Sequence, residues 1–283
     1  PDPATAGFAT TATIEFTSTH GETWLDFLGA SVESVTVNGV PVAVAYDGAR
    51  IALTGLAEDN VVTVAATGEY SRSGEGLHRF VDPADGQTYL YTQYEPADAR
   101  RVFACFEQPD LKAPFTFDVS APDGWQVVSN QAVAHRNAVA GGQRVVFAPT
   151  PPPMSTYITA VVAGPCHRVE SSWSRDDLTV DLGVLCRASL AQYLDADAIV
   201  EITKQGLDFF AEHFGYPYPW GGKYDQVFVP EYNLGAMENP PGCVTFTEAY
   251  VFRGRGDRGA VSGGGRTRSC TRWRTCGSAT SLP

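Results

Sequence analysis

The sequence of 283 residues has little charge and no long hydrophobic run. Charged residues make up only 18% of it, and no stretch approaches the roughly 20 consecutive apolar residues that a membrane-spanning helix needs. It also lacks the basic and apolar leader of a secretory signal peptide. The chain begins with Pro1 rather than Met, so we expect residues to be missing before it. These absences predict a cytoplasmic protein with no membrane partner.

Positive charge is scarce except at the C-terminal end. The formal net charge is −12, which argues against a nucleic-acid partner because the phosphate backbone attracts basic surfaces. From Gly254 to Pro283, however, six Arg accompany a single acid, Asp257, so this segment carries +5 and the residues before it carry −17. A basic tail on an acidic body is either an interaction arm or a segment foreign to the rest of the protein.

The six cysteines are spread too widely for a zinc ribbon or a compact disulfide framework. They lie at positions 105, 166, 186, 243, 270 and 276. No C-x-x-C pair occurs among them. Buried free thiols in a reducing cytoplasm are the interpretation we favour.

Glycine and proline are abundant, with 28 and 19 residues, which suits a turn-rich β protein better than a helical bundle. Alternating apolar and polar residues predict short strands through the first 165 residues. The clearest is a hairpin, because Asn38-Gly39 between two Val-rich runs accepts the positive φ angles of a type I′ turn. We therefore predict a mainly β N-terminal domain, a saddle or sandwich, over residues 1–187.

The spacing of apolar residues changes after residue 187 from the alternation of a strand to the spacing of a helix. Ser189 can cap a helix that runs to about His213, and Gly215 is a plausible stop. The residues expected on or near one face of this helix are Ile199, Ile202, Gly206, Phe209 and Phe210. With strands returning at 227–229 and 244–252, residues 188–253 are predicted to be the incomplete start of an α/β domain. Residues 254–283 show no apolar period and are predicted to be a disordered basic tail.

Two acids stand out in the loop-rich segments 92–110 and 218–239. Gly235 and Ala236 lack bulk, so an extended ligand could pair with the backbone beside them as an added strand. Glu238 offers a carboxylate beside that backbone, and Glu95 offers a second. Two carboxylates that converge on one point would favour a free ammonium group. The alternative is that both acids are ordinary solvated residues on loops.

Three segments resemble the zinc aminopeptidase N family, the gluzincin aminopeptidases. Gly-Ala-Met-Glu-Asn at 235–239 matches the exopeptidase motif of that family. Thr92-Gln-x-Glu95, followed by Ala99-Arg-Arg-x-Phe103 and by Pro109-Asp110, is similar to the hallmark of its N-terminal domain. Ser71–Phe80 looks like the actinobacterial branch. The resemblance covers about residues 8–253, and the order and spacing of the segments make it specific.

The resemblance implies an aminopeptidase that removes N-terminal residues from peptides. Its fold would be a saddle-shaped β domain followed by the start of a thermolysin-like catalytic domain. Glu238 and Glu95 would bind the α-amino group of a peptide with a free N-terminus, and Gln93 would line the first side-chain pocket. The residues that would pair with the substrate backbone are Gly235, Ala236, Met237, Glu238 and Asn239. The prolines at 240 and 241 depart from the pattern of many members, which have a bulky residue and then Gly.

The zinc site that the family carries is missing from this reading frame. The family binds zinc through H-E-x-x-H on a helix, where the two His lie on one face and the Glu between them is the general base. The five His of this chain are at 20, 78, 135, 167 and 213, and none forms that motif. We therefore predict no catalytic residue, no metal ligand and no bound cofactor in this chain, although the complete family member needs zinc.

A shifted reading frame explains the missing motif. Permitted codons for Arg268–Thr280 and the first two bases of codon 281, read from the third base of codon 268, spell Val-Leu-His-Glu-Met-Ala-His-Met-Trp-Phe-Gly-Asp-Leu, which is the zinc helix of the family. We infer a frameshift between Phe252 and Gly265; the alternative is a genuine basic arm. The prediction is thus the N-terminal part of a zinc aminopeptidase, inactive as written. The alternative function is a non-catalytic peptide-binding or scaffold protein.

Overall fold

The computed structural model of the chain describes residues 5–234 and 241–253. This part of the chain contains seventeen β-strands and one α-helix, α1 (Ala196–Phe214). The strands are β1 (Gly7–Thr17), β2 (Glu22–Asp26), β3 (Ser31–Val37), β4 (Val40–Val42), β5 (Arg50–Thr54), β6 (Asp59–Glu69), β7 (Gly76–Val81), β8 (Thr88–Gln93), β9 (Asp118–Ala121), β10 (Gln126–Ser129), β11 (Val133–Val139), β12 (Gly142–Phe147), β13 (Val161–Gly164), β14 (Cys166–Arg175), β15 (Leu178–Arg187), β16 (Lys223–Val229) and β17 (Cys243–Thr247). The 3-10 turns cover Ala99–Arg101, Thr156–Ile158, Ala188–Tyr193 and Glu248–Tyr250.

The chain divides into two compact units. Unit 1 is made of Pro1–Arg79, Thr92–Ala113 and Met154–Thr159, and unit 2 is made of Phe80–Tyr91, Pro114–Pro153 and Ala160–Pro283, each as far as it is described. This division does not follow the predicted boundary after residue 187, because residues 160–187 and 188–253 fall in the same unit. The boundary at 187 therefore stays a prediction.

Unit 1 packs a four-stranded antiparallel sheet, ordered β1-β6-β3-β4, and a two-stranded sheet of β2 and β5 around one apolar core. Strand β6 shows how the sequence pattern directs side chains into this core. Val62, Val64 and Ala66 are buried while Val61 is exposed, as expected for alternate side chains on opposite faces of a strand. Leu25 of β2 and Ile51 of β5 complete the same core.

The hairpin predicted at Asn38-Gly39 is confirmed. Strands β3 and β4 pair in antiparallel fashion with Val37 opposite Val40. Asn38 has a φ of 52° and Gly39 a φ of 79°, which is the left-handed pair that a type I′ turn requires. The Asn38 side chain also accepts a hydrogen bond from the Val61 N–H at 2.8 Å, so the turn is tied to β6 as well.

Unit 2 contains a mixed sheet with the order β14-β15-β16-β17. Strands β14 and β15 are antiparallel, whereas β15 with β16 and β16 with β17 are parallel. The connection from β15 to β16 runs through α1, since a parallel pair needs a long crossover. All seven residues of β16 are buried. Unit 2 also holds the antiparallel sheet β11-β12-β9.

The helix begins later than predicted and buries only part of the expected face, namely Gly206 and Phe210. It starts at Ala196 after the 3-10 turn Ala188–Tyr193, so the assignment of Ser189 as its cap is wrong. The Ser189 hydroxyl instead donates to Asp82, 2.5 Å away. Phe209 was expected near the buried face but is 57% exposed, whereas Leu207 is buried. The predicted end is confirmed, because Gly215 follows the helix with a φ of 63°.

The predicted mainly β fold, followed by a mixed α/β portion, is confirmed. Several strands differ at their ends: the strand expected at 244–252 is β17 as far as Thr247 and then a 3-10 turn. Among the described residues, no helix is long and apolar enough to cross a membrane. The tail predicted to be disordered, 254–283, lies outside the described residues.

Gly242, which leads into β17, provides a test of the packing. Its φ is 73°, and a Cβ there would lie 2.0 Å from the Asn130 carbonyl oxygen. Gly86 has a similar φ of 70° but no atom within 4 Å of its would-be Cβ. We expect Gly86→Ala to cost about 1 kcal/mol of unfolding free energy through backbone strain alone. Gly242→Ala should cost about 1–3 kcal/mol more, since the clash is added to the same strain.

Urea unfolding followed by tryptophan fluorescence measures both glycine variants against the unaltered chain. If both variants lose the same unfolding free energy, the Asn130 backbone does not lie against Gly242.

Candidate functional site

Two of the predicted site residues come together at the end of β8. Gln93 is the last residue of that strand and is buried. Its side-chain Nε2 donates a hydrogen bond to the backbone oxygen of Glu95, 3.0 Å away. Between them, Tyr94 is fully buried against Ala99 and Cys105. The burial of Tyr94 and the hydrogen bond from Gln93 hold the backbone in place here. The half-buried Glu95 therefore lies on an ordered turn.

The segment after this turn is held by a second acid, Glu107. Its carboxylate accepts hydrogen bonds from the Arg100 N–H at 2.6 Å and from the Thr156 hydroxyl at 2.5 Å. Burial raises the pKa of the Glu107 carboxyl above its usual value, and these two donors offset part of that rise. Glu107 therefore ties the 3-10 turn Ala99–Arg101 to the one at Thr156–Ile158.

The other predicted site residues belong to the exopeptidase motif at 235–239. Gly235, Ala236, Met237, Glu238 and Asn239 lie outside the described residues. The convergence of Glu238 with Glu95 therefore stays a prediction. What the structure does describe is the chain on either side of the motif: Val229 and Tyr232 before it, and Pro241 and Gly242 after it.

The chain that leads into the motif is held by two tyrosines. The Tyr91 hydroxyl donates to the backbone oxygen of Glu231 at 3.2 Å. Tyr91 and Tyr232 pack edge to face with ring centroids 5.6 Å apart. The Tyr232 hydroxyl also lies 3.0 Å from the Thr245 hydroxyl, in β17. The segment after β16 is therefore joined to the strand that follows the motif.

The chain that leaves the motif is held by a buried polar cluster that sequence analysis missed. Asn130 donates from Nδ2 to the Pro241 oxygen at 3.0 Å. The Lys223 ammonium group donates to the Gly242 oxygen and to the Ser129 oxygen, both at 2.6 Å. The Asp225 N–H also donates to the Gly242 oxygen at 3.0 Å. Two consecutive carbonyls after the motif thus have fixed partners.

The charge of Lys223 is balanced inside the protein. Asp225 lies 2.8 Å from the Lys223 ammonium group and 2.9 Å from the Arg168 guanidinium group. Burial alone would raise the pKa of Asp225, but Lys223 and Arg168 outweigh it, and the pKa lies below its usual value. Asp225 is therefore ionised at neutral pH. The sequence did carry a signal for this pair, because Lys223 and Asp225 are opposite charges two positions apart, just before the apolar run Val227–Val229.

The described residues do not fit a zinc ion. Within residues 5–234 and 241–253, no group of three or more His, Cys, Asp or Glu side chains is placed to hold a metal. Three of the cysteines there, Cys105, Cys186 and Cys243, are buried free thiols. Burial raises the pKa of Cys186 and of Cys243 to about 12, so both stay protonated at neutral pH.

Two family models match the chain. The peptidase M1 N-terminal domain matches residues 5–158, and the peptidase family M1 domain matches residues 198–257. Position 187 falls between the two matches.

Several aminopeptidases are similar to this chain. "Aminopeptidase N" of Streptomyces lividans is 50% identical over 249 residues, which cover 87% of this chain and 28% of the relative. "Probable M1 family aminopeptidase 1" of Encephalitozoon cuniculi is 34% identical over 196 residues, covering 65% of this chain and 21% of the relative. "Aminopeptidase M1" of Arabidopsis thaliana is 32% identical over 194 residues, covering 68% and 21%.

The chain thus spans between a fifth and a third of the length of these relatives. The resemblance indicated by residues 235–239 and by the segment from Thr92 to Asp110 is confirmed, together with its actinobacterial character. The chain belongs to the peptidase M1 family of aminopeptidases.

Proposed function

We propose that this chain is the N-terminal part of a zinc aminopeptidase that removes N-terminal residues from peptides. The observation that carries the proposal is the Gly-Ala-Met-Glu-Asn motif at 235–239, which lies inside the segment matched by the peptidase family M1 domain. Its substrates would be peptides with a free N-terminus. The net charge of −12 supports the proposal that nucleic acid is not a partner. We place the protein in the cytoplasm on its free cysteines.

Recognition of the substrate is assigned to three places in the chain: Gln93, Glu95 and residues 235–239. Glu238 and Glu95 would each contribute a carboxylate to the α-ammonium group, since a charge-assisted hydrogen bond is stronger than a neutral one. Residues 235–239 would pair with the peptide backbone. Gln93 would line the pocket of the first side chain, and its contact with the Glu95 oxygen supports this role, because it links the pocket residue to the anchor residue.

The chemical step is assigned to residues that this reading frame does not encode. Zinc would supply the water nucleophile in the complete enzyme, but the described residues do not fit it. Codons 268–280, read in the shifted frame, would supply His-Glu-Met-Ala-His. We therefore propose a frameshift between Phe252 and Gly265, and we propose that the chain as written binds no zinc and is inactive.

A second candidate is a non-catalytic peptide-binding or scaffold protein. The charge reversal after residue 253 favours it, because a genuine basic arm on an acidic body would be an interaction segment rather than a misread one. Such a protein would bind peptide N-termini weakly through Glu95 and Glu238. It would be a truncated product whose β domain folds by itself, and it would differ from the enzyme in having no hydrolytic activity.

The role of Glu238 is testable in the protein whose frame is restored. Glu238→Gln keeps the size of the side chain and a hydrogen-bond acceptor but removes the charge. Since an ammonium–carboxylate contact is worth about 1.5–3 kcal/mol, catalytic efficiency should fall roughly tenfold to a few hundredfold. Glu95→Gln should act in the same direction but more mildly, and the double variant should be non-additive if both acids share the amine.

The measurement compares rates on a free-amine peptide and on its N-acetylated twin. The unaltered enzyme should hydrolyse the acetylated peptide very poorly, because that peptide has no cation to offer. A Glu238→Gln variant that keeps the full preference for the free amine would show that Glu238 is not the anchor.

The chain as written should contain no stoichiometric zinc after purification. Its His residues cannot form the i, i+4 pair, and we place Cys270 and Cys276 in the misread tail. Elemental analysis of the purified chain measures the metal directly, and the Cys270→Ser and Cys276→Ser variants are the matched controls. One zinc per chain that is lost in either variant would establish the tail as an authentic metal site.

A further inference from the structure

Glu95 lies inside a short turn whose two ends are joined by a backbone hydrogen bond. The Asp98 N–H donates to the Tyr94 oxygen at 2.7 Å. Between these residues, the Glu95 oxygen accepts the hydrogen bond from the Gln93 side chain. The first end of the turn is held because Tyr94 is fully buried. The position of Glu95 therefore depends on what holds the second end, at Asp98.

The second end continues directly into the 3-10 turn Ala99–Arg101. The Arg101 N–H donates to the Asp98 oxygen at 3.1 Å, so the two turns share Asp98. The first N–H groups of a helical turn have no acceptor within it, and the N–H of Arg100 is one of these. It donates instead to the Glu107 carboxylate at 2.6 Å. Glu107 thus supplies the acceptor that this turn lacks.

The contact to Glu107 acts on the side of Arg100 that faces Asp98 along the chain. The N–H of Arg100 belongs to the peptide group that joins it to Ala99. The carbonyl of Arg100, on the other side, accepts the Leu28 N–H at 2.7 Å. Each side of Arg100 therefore has its own partner, and the side next to Asp98 is the one that Glu107 holds.

Glu107 is itself fixed by contacts that do not involve the turn. Its Oε1 accepts the Thr156 hydroxyl at 2.5 Å, and its Oε2 also accepts the Cys105 thiol at 3.8 Å. Its backbone N–H donates to Asp26 Oδ2 at 3.4 Å. Asp26 and Cys105 exchange two backbone hydrogen bonds, at 2.8 and 3.1 Å. The carboxylate is therefore a fixed point to which the Arg100 N–H is drawn.

We propose that Glu107 is a positioning residue for amine recognition by Glu95. By accepting the Arg100 N–H, it fixes the end of the turn on which Glu95 meets the ammonium group of the substrate. Glu95, Arg100, Glu107 and Thr156 all belong to unit 1. This inference rests on the proposed function, since it gives Glu107 this role only if Glu95 binds the amine. Glu107 touches neither the substrate nor the reacting atoms in this account.

The test is Glu107→Leu in the complete enzyme with its frame restored. Leucine fills much of the same volume but offers no acceptor to the Arg100 N–H. We expect KM for a free-amine peptide to rise about two- to tenfold with a smaller change in kcat, because Glu95 is displaced rather than removed. The rise should not exceed the one that Glu95→Gln causes. If Glu107→Leu does not fold, Glu107→Asp, which is one methylene shorter, is measured against the same expectation.

Thr156→Val is the matched control, because it removes the other contact of the same carboxylate. It leaves the Arg100 N–H bonded to Glu107, and it leaves the Thr156 backbone oxygen, which accepts from the Thr159 hydroxyl. The variant should lower thermal stability. Its KM should stay within about twofold of the unaltered enzyme, since the turn that carries Glu95 keeps its acceptor.

Glu107→Gln should restore what Glu107→Leu loses. The amide oxygen can still accept the Arg100 N–H, and the amide NH2 can donate to the Thr156 hydroxyl, because a hydroxyl accepts as well as donates. KM should therefore stay within about twofold of the unaltered enzyme. A rise in KM for Glu107→Gln as large as that for Glu107→Leu would overturn the inference, since the acceptor is present in one variant and absent in the other.

A double-mutant cycle with Glu95 separates positioning from general damage. If Glu107 acts through Glu95, Glu95→Gln should have a smaller effect in the Glu107→Leu background than in the unaltered enzyme. Full additivity, an unchanged KM for Glu107→Leu, or an equal rise for Thr156→Val would overturn the inference and leave Glu95 as an anchor. If Glu95→Gln alone does not change the preference for a free amine over its acetylated twin, the proposed function of Glu95 fails, and the role of Glu107 fails with it.

Discussion

The buried carboxylate of Asp225 is the constraint on which unit 2 depends. A charge with no exposure to water must be paired, and Asp225 is paired with Lys223 of its own strand and with Arg168 of β14. Strand β15 passes between them at Gly183, where a Cβ would lie only 2.1 Å from an Asp225 oxygen. The ion pair thus dictates a glycine in the neighbouring strand. Removing one partner of such a buried pair costs about 3–5 kcal/mol, because the remaining charge is left uncompensated.

The same reasoning applies at the C-terminal end of β15, at Arg187. Arg187 lies 2.5 Å from the fully buried Asp82 and 2.7 Å from Glu248, which follows β17. Burial alone would lower the pKa of Arg187, but the two acids raise it above its usual value, so the guanidinium group stays charged. The two ionic clusters secure the mixed sheet at Asp225 and at Arg187. Asp225 belongs to β16 and Glu248 follows β17, and these are the two strands that flank residues 235–239 in the sequence.

The sequence predicted those features of the fold that depend on the conformational preference of one or two neighbouring residues. The turn at Asn38-Gly39 and the end of the helix at Gly215 were predictable, because Gly and Asn adopt a positive φ more readily than other residues. The start of the helix was missed, since Ser189 has the right chemistry for a cap but bonds Asp82, more than one hundred positions away in sequence. Asn130 and Gly242 were missed for the same reason: their partners are distant in sequence. The family was predicted because its motifs are contiguous, whereas the roles of Gln93, Glu95 and Glu238 stay predictions.

In this account, the chain carries the residues that recognise a peptide N-terminus, while the residues that hold zinc are encoded in another frame. Determining the nucleotide sequence of codons 250–283 tests that claim most directly. Read from the third base of codon 268, the bases should spell Val-Leu-His-Glu-Met-Ala-His-Met-Trp-Phe-Gly-Asp-Leu, with a shift of the frame between codons 252 and 265. Bases that spell no His-Glu-x-x-His in either alternative frame would contradict the account and establish the basic tail as a genuine part of the protein.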